Sequence, residues 1–185
     1  MSAEGPAARP AVPPAVEVRL ADAADRVLIR NLYPLYLHDL SAYTGFYDVD
    51  ERGVFFPDYL PDWLDRRSPV QHPLVIRAAG RPAGFALVAQ APYPHMGPGR
   101  DVRMCEFFVL HRWRRQGVGR RAARAVFAMF PGVWEVTELP GNAAATSFWR
   151  AVIGEHTGGA FTEGIELGEV VQVFTSGRGA DGRAR

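Results

Sequence analysis

Apolar and polar residues alternate over Val16–Leu20 (V-E-V-R-L). That period of two predicts a short strand, whose side chains point to opposite faces in turn. From Asp25 to about Tyr43 the rhythm changes. Leu28, Leu32, Tyr36 and Leu40 recur every fourth residue, one face of a helix that Asp22 can cap. Pro34 lies inside it and is expected to kink or split it. Thr44–Arg67 has no clear period and reads as loop with a short helix near Pro61–Arg66.

Two apolar segments follow, Pro73–Ala79 and Ala83–Gln90, joined at Gly80-Arg81 as an antiparallel hairpin. Ala91–Gly99 carries three prolines and reads as a loop. Val102–Leu110 is the next strand, and a basic loop, His111–Gln116, leads from it to Gly117-Val118-Gly119. A helix is expected from there to about Phe130. Val118, Ala122, Ala125 and Met129 form its apolar stripe, with Arg120, Arg121 and Arg124 largely off it. Pro131-Gly132 stops that helix, Val133–Leu139 is a strand, and Asn142 caps a further helix carrying Phe148 and Trp149. After the break at Gly158-Gly159 a final strand pair is expected, including Val170–Thr175. The order of elements predicts an α/β fold with a mixed sheet and helices on both faces. Residues 15–176 form one domain in this reading. Residues 1–14, rich in Ala and Pro, are a disordered leader, and residues 177–185 are a solvated tail.

Composition narrows the classes of function. The 185 residues suit a single core, and 48% hydrophobic with 22% charged residues is an ordinary globular balance. A net charge of +1 gives no argument for nucleic acid or membrane binding. No apolar run reaches the roughly 18 residues of a membrane span, and a cytoplasmic location is expected. All 21 basic residues are arginines, which excludes Schiff-base, phosphate-loop NTPase and kinase chemistry that depends on lysine. Cys105 is the single cysteine, so neither an internal disulfide nor a thiolate cluster is available. The five histidines show no ligand spacing, and no metal is expected.

The densest chemistry lies in R-W-R-R-Q-G-V-G-R-R, Arg112–Arg121. The first amides of a helix have no partners within it and carry partial positive charge. Glycines let that backbone approach an anion, and arginines add charge-assisted bonds. Such a loop cradles a phosphate or pyrophosphate. Gly117-x-Gly119-x-x-Ala122 also fits a dinucleotide fingerprint, with Glu138 at a suitable distance beyond. Against that, seven residues, Leu110–Gln116, separate the strand from the first glycine, and too little chain precedes it for a doubly wound sheet.

F-F-V-L-H-R-W-R-R-Q-G-V-G-R-R (Phe107–Arg121) resembles the central motif of the GNAT acetyltransferase superfamily, an apolar strand, a short basic loop and [RQ]-x-x-G-x-[GA]. Asn142–Trp149 resembles its N-x-x-A-x-x-x-Y helix segment, with Trp149 where tyrosine is usual. The resemblance implies a mostly antiparallel sheet with one splayed parallel pair, here Val102–Leu110 and Val133–Leu139. It implies acetyl-CoA as donor and a primary amine of a small molecule or peptide as acceptor, joined by direct attack in a ternary complex. By the same resemblance the backbone of Phe108, Val109 and Leu110 pairs with the pantetheine arm. Arg114, Arg115, Gln116, Gly117, Val118, Gly119 and Arg120 hold the pyrophosphate. An amide near Val109 stabilises the oxyanion, and Asn142 and Trp149 lie along the cofactor. Many relatives are dimers, though no interface is legible here.

Deprotonating the amine needs a base, and Glu106, three residues before Val109, is the candidate. On a regular strand those two point to opposite faces, which a bulge would change. Indole cannot protonate a thiolate, so Trp149 leaves the general acid open, with Tyr33 or Tyr36 as substitutes. Asp39–Asp65 holds seven acids and one base, interleaved with aromatics that suit a cationic amine; the alternative is a solvated acidic loop. Tyr33, Tyr36, Asp39 and Tyr43 are the acceptor-side candidates. The absent tyrosine also motivates a second reading, a CoA-binding sensor without turnover.

Overall fold

The computed structural model describes residues 13–56, 59–66 and 68–177. The expected leader apart from Pro13 and Pro14, and the expected tail apart from Gly177, lie outside them. Among the described residues seven strands form one sheet: β1 (Val16–Leu20), β2 (Gln71–Ala78), β3 (Arg81–Gln90), β4 (Val102–Val109), β5 (Gly132–Glu138), β6 (Phe161–Glu166) and β7 (Glu169–Ser176). Their order is β1-β2-β3-β4-β5-β7-β6. Every neighbouring pair is antiparallel except β4 and β5. That sheet excludes the dinucleotide alternative, which needs a mostly parallel one.

Helices α1 (Ala23–Leu40) and α2 (Leu60–Leu64) cover one face, packing Ile29, Leu37 and Trp63 onto Phe85, Leu87 and Phe108. Helices α3 (Val118–Met129) and α4 (Ala143–Thr157) cover the other, where Phe127 and Trp149 meet Val88, Met104 and Trp134. Successive strand residues feed the two layers alternately, as the pleat requires.

Several local expectations are corrected. Helix α1 starts at a capping box, in which Asp22 accepts from the Asp25 amide at 2.9 Å and Asp25 accepts from the Asp22 amide at 3.1 Å. It runs through Pro34 unsplit, because that residue sits on the exposed side. Its buried line is Ile29, Leu32, Tyr33 and Leu37, so Leu28, Tyr36 and Leu40 flank the stripe rather than forming it. In α3 the buried residues are Val118, Ala122, Ala123, Val126 and Phe127, while Ala125 and Met129 face outward. The β2–β3 turn is Ala79-Gly80, not Gly80-Arg81, with both residues at positive φ (47° and 73°). Ser176 is the buried end of β7 and of the expected domain, its hydroxyl donating to the Phe127 carbonyl at 2.9 Å.

One register shift matters for the site. Leu87 pairs with Glu106 and Val88 with Met104, leaving Cys105 as an extra residue in β4. This bulge resets the alternation. Val102 and Met104 enter the α3/α4 layer, and without the insertion Glu106 would follow them. Instead Cys105 and Glu106 both turn toward α1.

Strands β3 and β4 approach closely at Gly84, where an added Cβ would lie 1.9 Å from the Phe108 carbonyl oxygen. Backbone cannot swing aside as a side chain can. Gly84→Ala is expected to destabilise the protein by about 1–3 kcal/mol in urea unfolding. Gly164→Ala in β6, with nothing within 4 Å of the new methyl group, should be neutral or stabilising by up to about 1 kcal/mol. Equal effects would contradict the close approach.

Candidate functional site

The chain leaves β4 through a single 3-10 turn, His111–Trp113, and enters α3 over Arg114–Gly117. Trp113 anchors the turn, buried, with its indole N–H donating to the Pro82 carbonyl at 3.1 Å. Arg115 (φ 59°) and Gly117 (φ 73°) both take the left-handed conformation. Arg115 follows an extended Arg114 (φ −70°, ψ 157°), and Gly117 leads directly into the right-handed Val118 of α3, so the backbone curls at the helix start into a concavity of the kind that binds anions. Among the described residues no side chain caps Gly117, and the Arg121 amide N–H donates back to the Gly117 carbonyl at 3.1 Å. The start of α3 therefore presents its amide end without a side-chain lid.

The arginines around this turn divide. Arg114 donates through Nε to the Val109 carbonyl at 2.6 Å and pairs with Asp39 at the end of α1. Arg121 folds back onto the Gln116 and Pro14 carbonyls at 3.2 and 3.1 Å. Arg120 pairs with Glu155 of α4 at 3.0 Å, while Arg115 is exposed. Gln116 donates to the Arg112 carbonyl at 2.6 Å.

Beside the turn the sheet opens. Strands β4 and β5 pair only from Val102 to Met104 against Trp134 to Val136, then part. Between them lies a cleft of about 270 Å³. Cys105, Glu106 and Phe107 line one arm and Val136, Thr137 and Glu138 the other. Asn142 and Trp149 of α4 close one side, and Tyr36, Leu40, Tyr47 and Tyr59 the opposite one. Leu110 N–H is held by the Ala83 carbonyl at 2.8 Å, on the β3 side. Main-chain groups of alternate strand residues turn to alternate edges, so Phe107 and Val109 present theirs toward the opening.

Glu106, Glu138 and Glu169 line the cleft, and Glu135 lies at its root. Glu106 is buried and accepts a hydrogen bond from the Tyr36 hydroxyl. Burial first, and the Glu106 charge second, hold the Tyr36 phenol well above its ordinary pKa, so it keeps its proton for Glu106. Glu135 faces the α1/α2 side at the root of the cleft. Arg103 bridges it at 3.0 Å, donates to Thr137 Oγ1 at 3.1 Å, and thereby ties β4 to β5. Glu138, at the end of β5, faces the α3/α4 side like Trp134 and Val136. It is 4% exposed, and among the described residues neither carboxyl oxygen has a hydrogen-bond partner. Desolvation above all, then the charges of Glu163 and Glu169 against an opposing effect of Arg150, pushes its pKa up to about 8.

Of the residues expected at a site, Glu106, Tyr36, Asn142 and Trp149 come together on the cleft. Asn142 caps α4, accepting from the Ala145 amide at 3.1 Å, and Trp149 packs edge-on to Phe107 while lining the opening. Tyr33 is sunk in the core against Phe85, Tyr43 is exposed outside the cleft, and Asp39 is engaged by Arg114. Arg103 and Glu135 carry no sequence signal that was used, and Glu138 figures there only as the acid of the excluded dinucleotide fingerprint. Writing V-R-M opposite W-E-V in parallel register would have set Arg103 beside Glu135. Nothing local marks Glu138.

A sequence model described as the acetyltransferase (GNAT) family matches residues 31–154. No curated protein sequence matches the chain. Among solved structures, an acetyltransferase from Thermus thermophilus superposes with a TM-score of 0.64 at 15% identity, over 86% of this chain and 96% of that one. The structure of YncA from Salmonella typhimurium with its cofactor acetyl-CoA gives 0.58 at 18%, over 92% and 99%. The PaiA N-acetyltransferase from Thermoplasma acidophilum, solved with coenzyme A, gives 0.55 at 11%, over 87% and 99%.

Burial pushes the Cys105 thiol up to about 12, with Arg103 opposing the rise. The thiolate is the reactive form, so at pH 8 iodoacetamide should alkylate the folded protein at least about a hundredfold more slowly than free cysteine. Unfolding in urea should restore the rate. A fast reaction in the native protein would contradict this placement of the thiol.

Proposed function

The chain belongs to the acetyltransferase (GNAT) family, and on that premise we propose that it moves an acetyl group from acetyl-CoA to a primary amine of a small molecule or peptide. The observation that carries this reading is the amide end of α3, without a side-chain cap, beside the opening between β4 and β5. A pyrophosphate fits that turn on the chemistry of its donors. In this reading the backbone of Arg115, Gln116, Gly117, Val118, Gly119 and Arg120 holds it, with the exposed Arg115 guanidinium adding charge. Arg114 acts one step back, bracing the Val109 carbonyl and the end of α1. The pantetheine arm then runs along the Phe107 and Val109 edge of β4, past Asn142 and Trp149, because Phe108 and Leu110, expected to pair with it, turn their main chain to β3.

The two faces of the sheet divide the labour. Helix α3 lies on one face, so the donor enters from there, and the amine meets it from the α1/α2 face. Glu106 points to that second face and takes the amine proton, while Tyr36 positions its carboxylate. The Val109 amide polarises the carbonyl, and holding both reactants in the opening supplies orientation. Tyr36, Tyr47 and Tyr59 line the amine's approach with aromatic surface that favours a cation. Tyr33, Asp39 and Tyr43 act from further back, by packing or by field.

Trp149 supports the rival reading of a CoA-binding sensor, because indole cannot release a proton to the leaving group. Turnover separates the two. With acetyl-CoA and benzylamine, spermidine or an alanine-ended peptide, an enzyme releases free thiol, and a sensor only binds. Gly117→Asp should weaken CoA binding at least about a hundredfold by placing a carboxylate at the anion seat, with the fold retained. Asp tolerates the left-handed conformation there, and the nearest group to its Cβ is the movable end of Arg121, at 2.8 Å. Unchanged affinity would sink the assignment. Glu106→Gln should lower kcat about 10²–10⁴-fold while acetyl-CoA still binds.

A further inference from the structure

We propose that Glu138 is the general acid of this enzyme, delivering its carboxyl proton to the departing CoA thiolate. The inference rests on the acetyl-transfer reading above and names a group that it leaves vacant. Trp149 has no transferable proton, and Tyr36 is committed to Glu106 on the opposite face.

The position fits the task. Glu138 ends the β5 arm of the cleft and faces the same layer as Trp149 and the start of α3. The donor enters from that layer, so its sulfur departs toward it. Glu106 lies on the other arm and serves the other face. The base is thus on the amine's side and the acid on the thiol's side, with the opening between them. A carboxyl buried to 4% exposure with neither oxygen satisfied among the described residues is costly in a folded protein and calls for a partner that arrives with a ligand.

The protonation state fits as well. The charged groups acting on Glu138 are Glu163 on β6, Glu169 on β7 and Arg150 on α4, and Gln172 of β7 donates to Glu163. Arg150 is engaged by Glu163 at 2.6 Å, which leaves the Glu138 carboxyl without a close cation. With its pKa raised to about 8, the group holds its proton at neutral pH and matches the acidity of a thiol. A carboxylic acid kept neutral by its surroundings is an established kind of proton donor.

The step balances. The amine lone pair forms the N–C bond. The C–S bond breaks and its electron pair goes to sulfur, which takes the proton of Glu138. The nitrogen gives up its own proton to Glu106. Exchange with water then resets both carboxyl groups.

The test compares wild type with Glu138→Gln, which keeps the shape and neutrality of the protonated side chain. The amine is whichever of benzylamine, spermidine or the alanine-ended peptide turns over. Expected are a fall in kcat of at least tenfold, a KM for acetyl-CoA within twofold, and an unchanged melting temperature. The wild-type kcat should decline above about pH 8 as the acid ionises, and that limb should vanish in Glu138→Gln. Glu138→Asp should recover part of the rate together with the limb. Wild-type kcat and an intact alkaline limb in Glu138→Gln would overturn the proposal and leave the acetyl-transfer reading standing. Loss of acetyl-CoA affinity in step with the rate would show a structural role and overturn it too. Absence of wild-type turnover with every amine would overturn both.

Discussion

The whole arrangement depends on a ladder that stops early. Strands β4 and β5 are the one parallel pair in the sheet, and they keep company for three residues before diverging. Had they stayed paired, Phe107 and Val109 would spend their main-chain groups on β5 and no opening would exist. The extra residue at Cys105 lies where the pairing ends and kinks β4 away from its partner. One insertion thus parts the strands and turns Glu106 out of the hydrophobic layer that holds Met104.

Opening a sheet leaves a defect to be stabilised, and the surrounding residues do so from several directions. Arg103 and Glu135 close the vertex with a partly buried ion pair. Arg114 holds the far end of β4 by its Val109 carbonyl and ties it to α1 through Asp39. Beside the opening Phe107 stacks on Phe148, and Trp149 meets both edge-on. The polar contacts lie at the edges of the opening and the aromatic ones beside it.

Much of this was legible in the sequence because it rests on local signals. Strand alternation, the glycines of the α3 turn and the Asn142 cap all act through nearest neighbours, and the elements they predict are present. Helix faces were read less well. In α1, Leu28 and Ile29 compete for the buried line, and in α3 alanines stand on both sides, so periodicity alone cannot choose the phase. The burial of Ser176 is satisfied by contacts with Phe127 and His156, far away in sequence, which no local pattern announces. The bulge is silent for a related reason, since an insertion is defined only against a partner strand. Glu138 stood in the open as one acid among 20, and its isolation emerges only when β7 and α4 close over it.

The clamp at the cleft vertex has a mechanical consequence. Arg103 grips both Glu135 and Thr137 across the root, and Glu135 also accepts from the Gly97 amide at 3.0 Å, so the base of the wedge is riveted. Beyond that point the arms belong to separate halves, β4 moving with β3 and β5 with β7. A wedge fixed at its apex yields most at its mouth, where small rotations become the largest displacements. Tolerance for differently sized guests therefore belongs to the rim formed by Tyr47, Tyr59 and Leu139, while the geometry near the apex stays constant from one guest to the next.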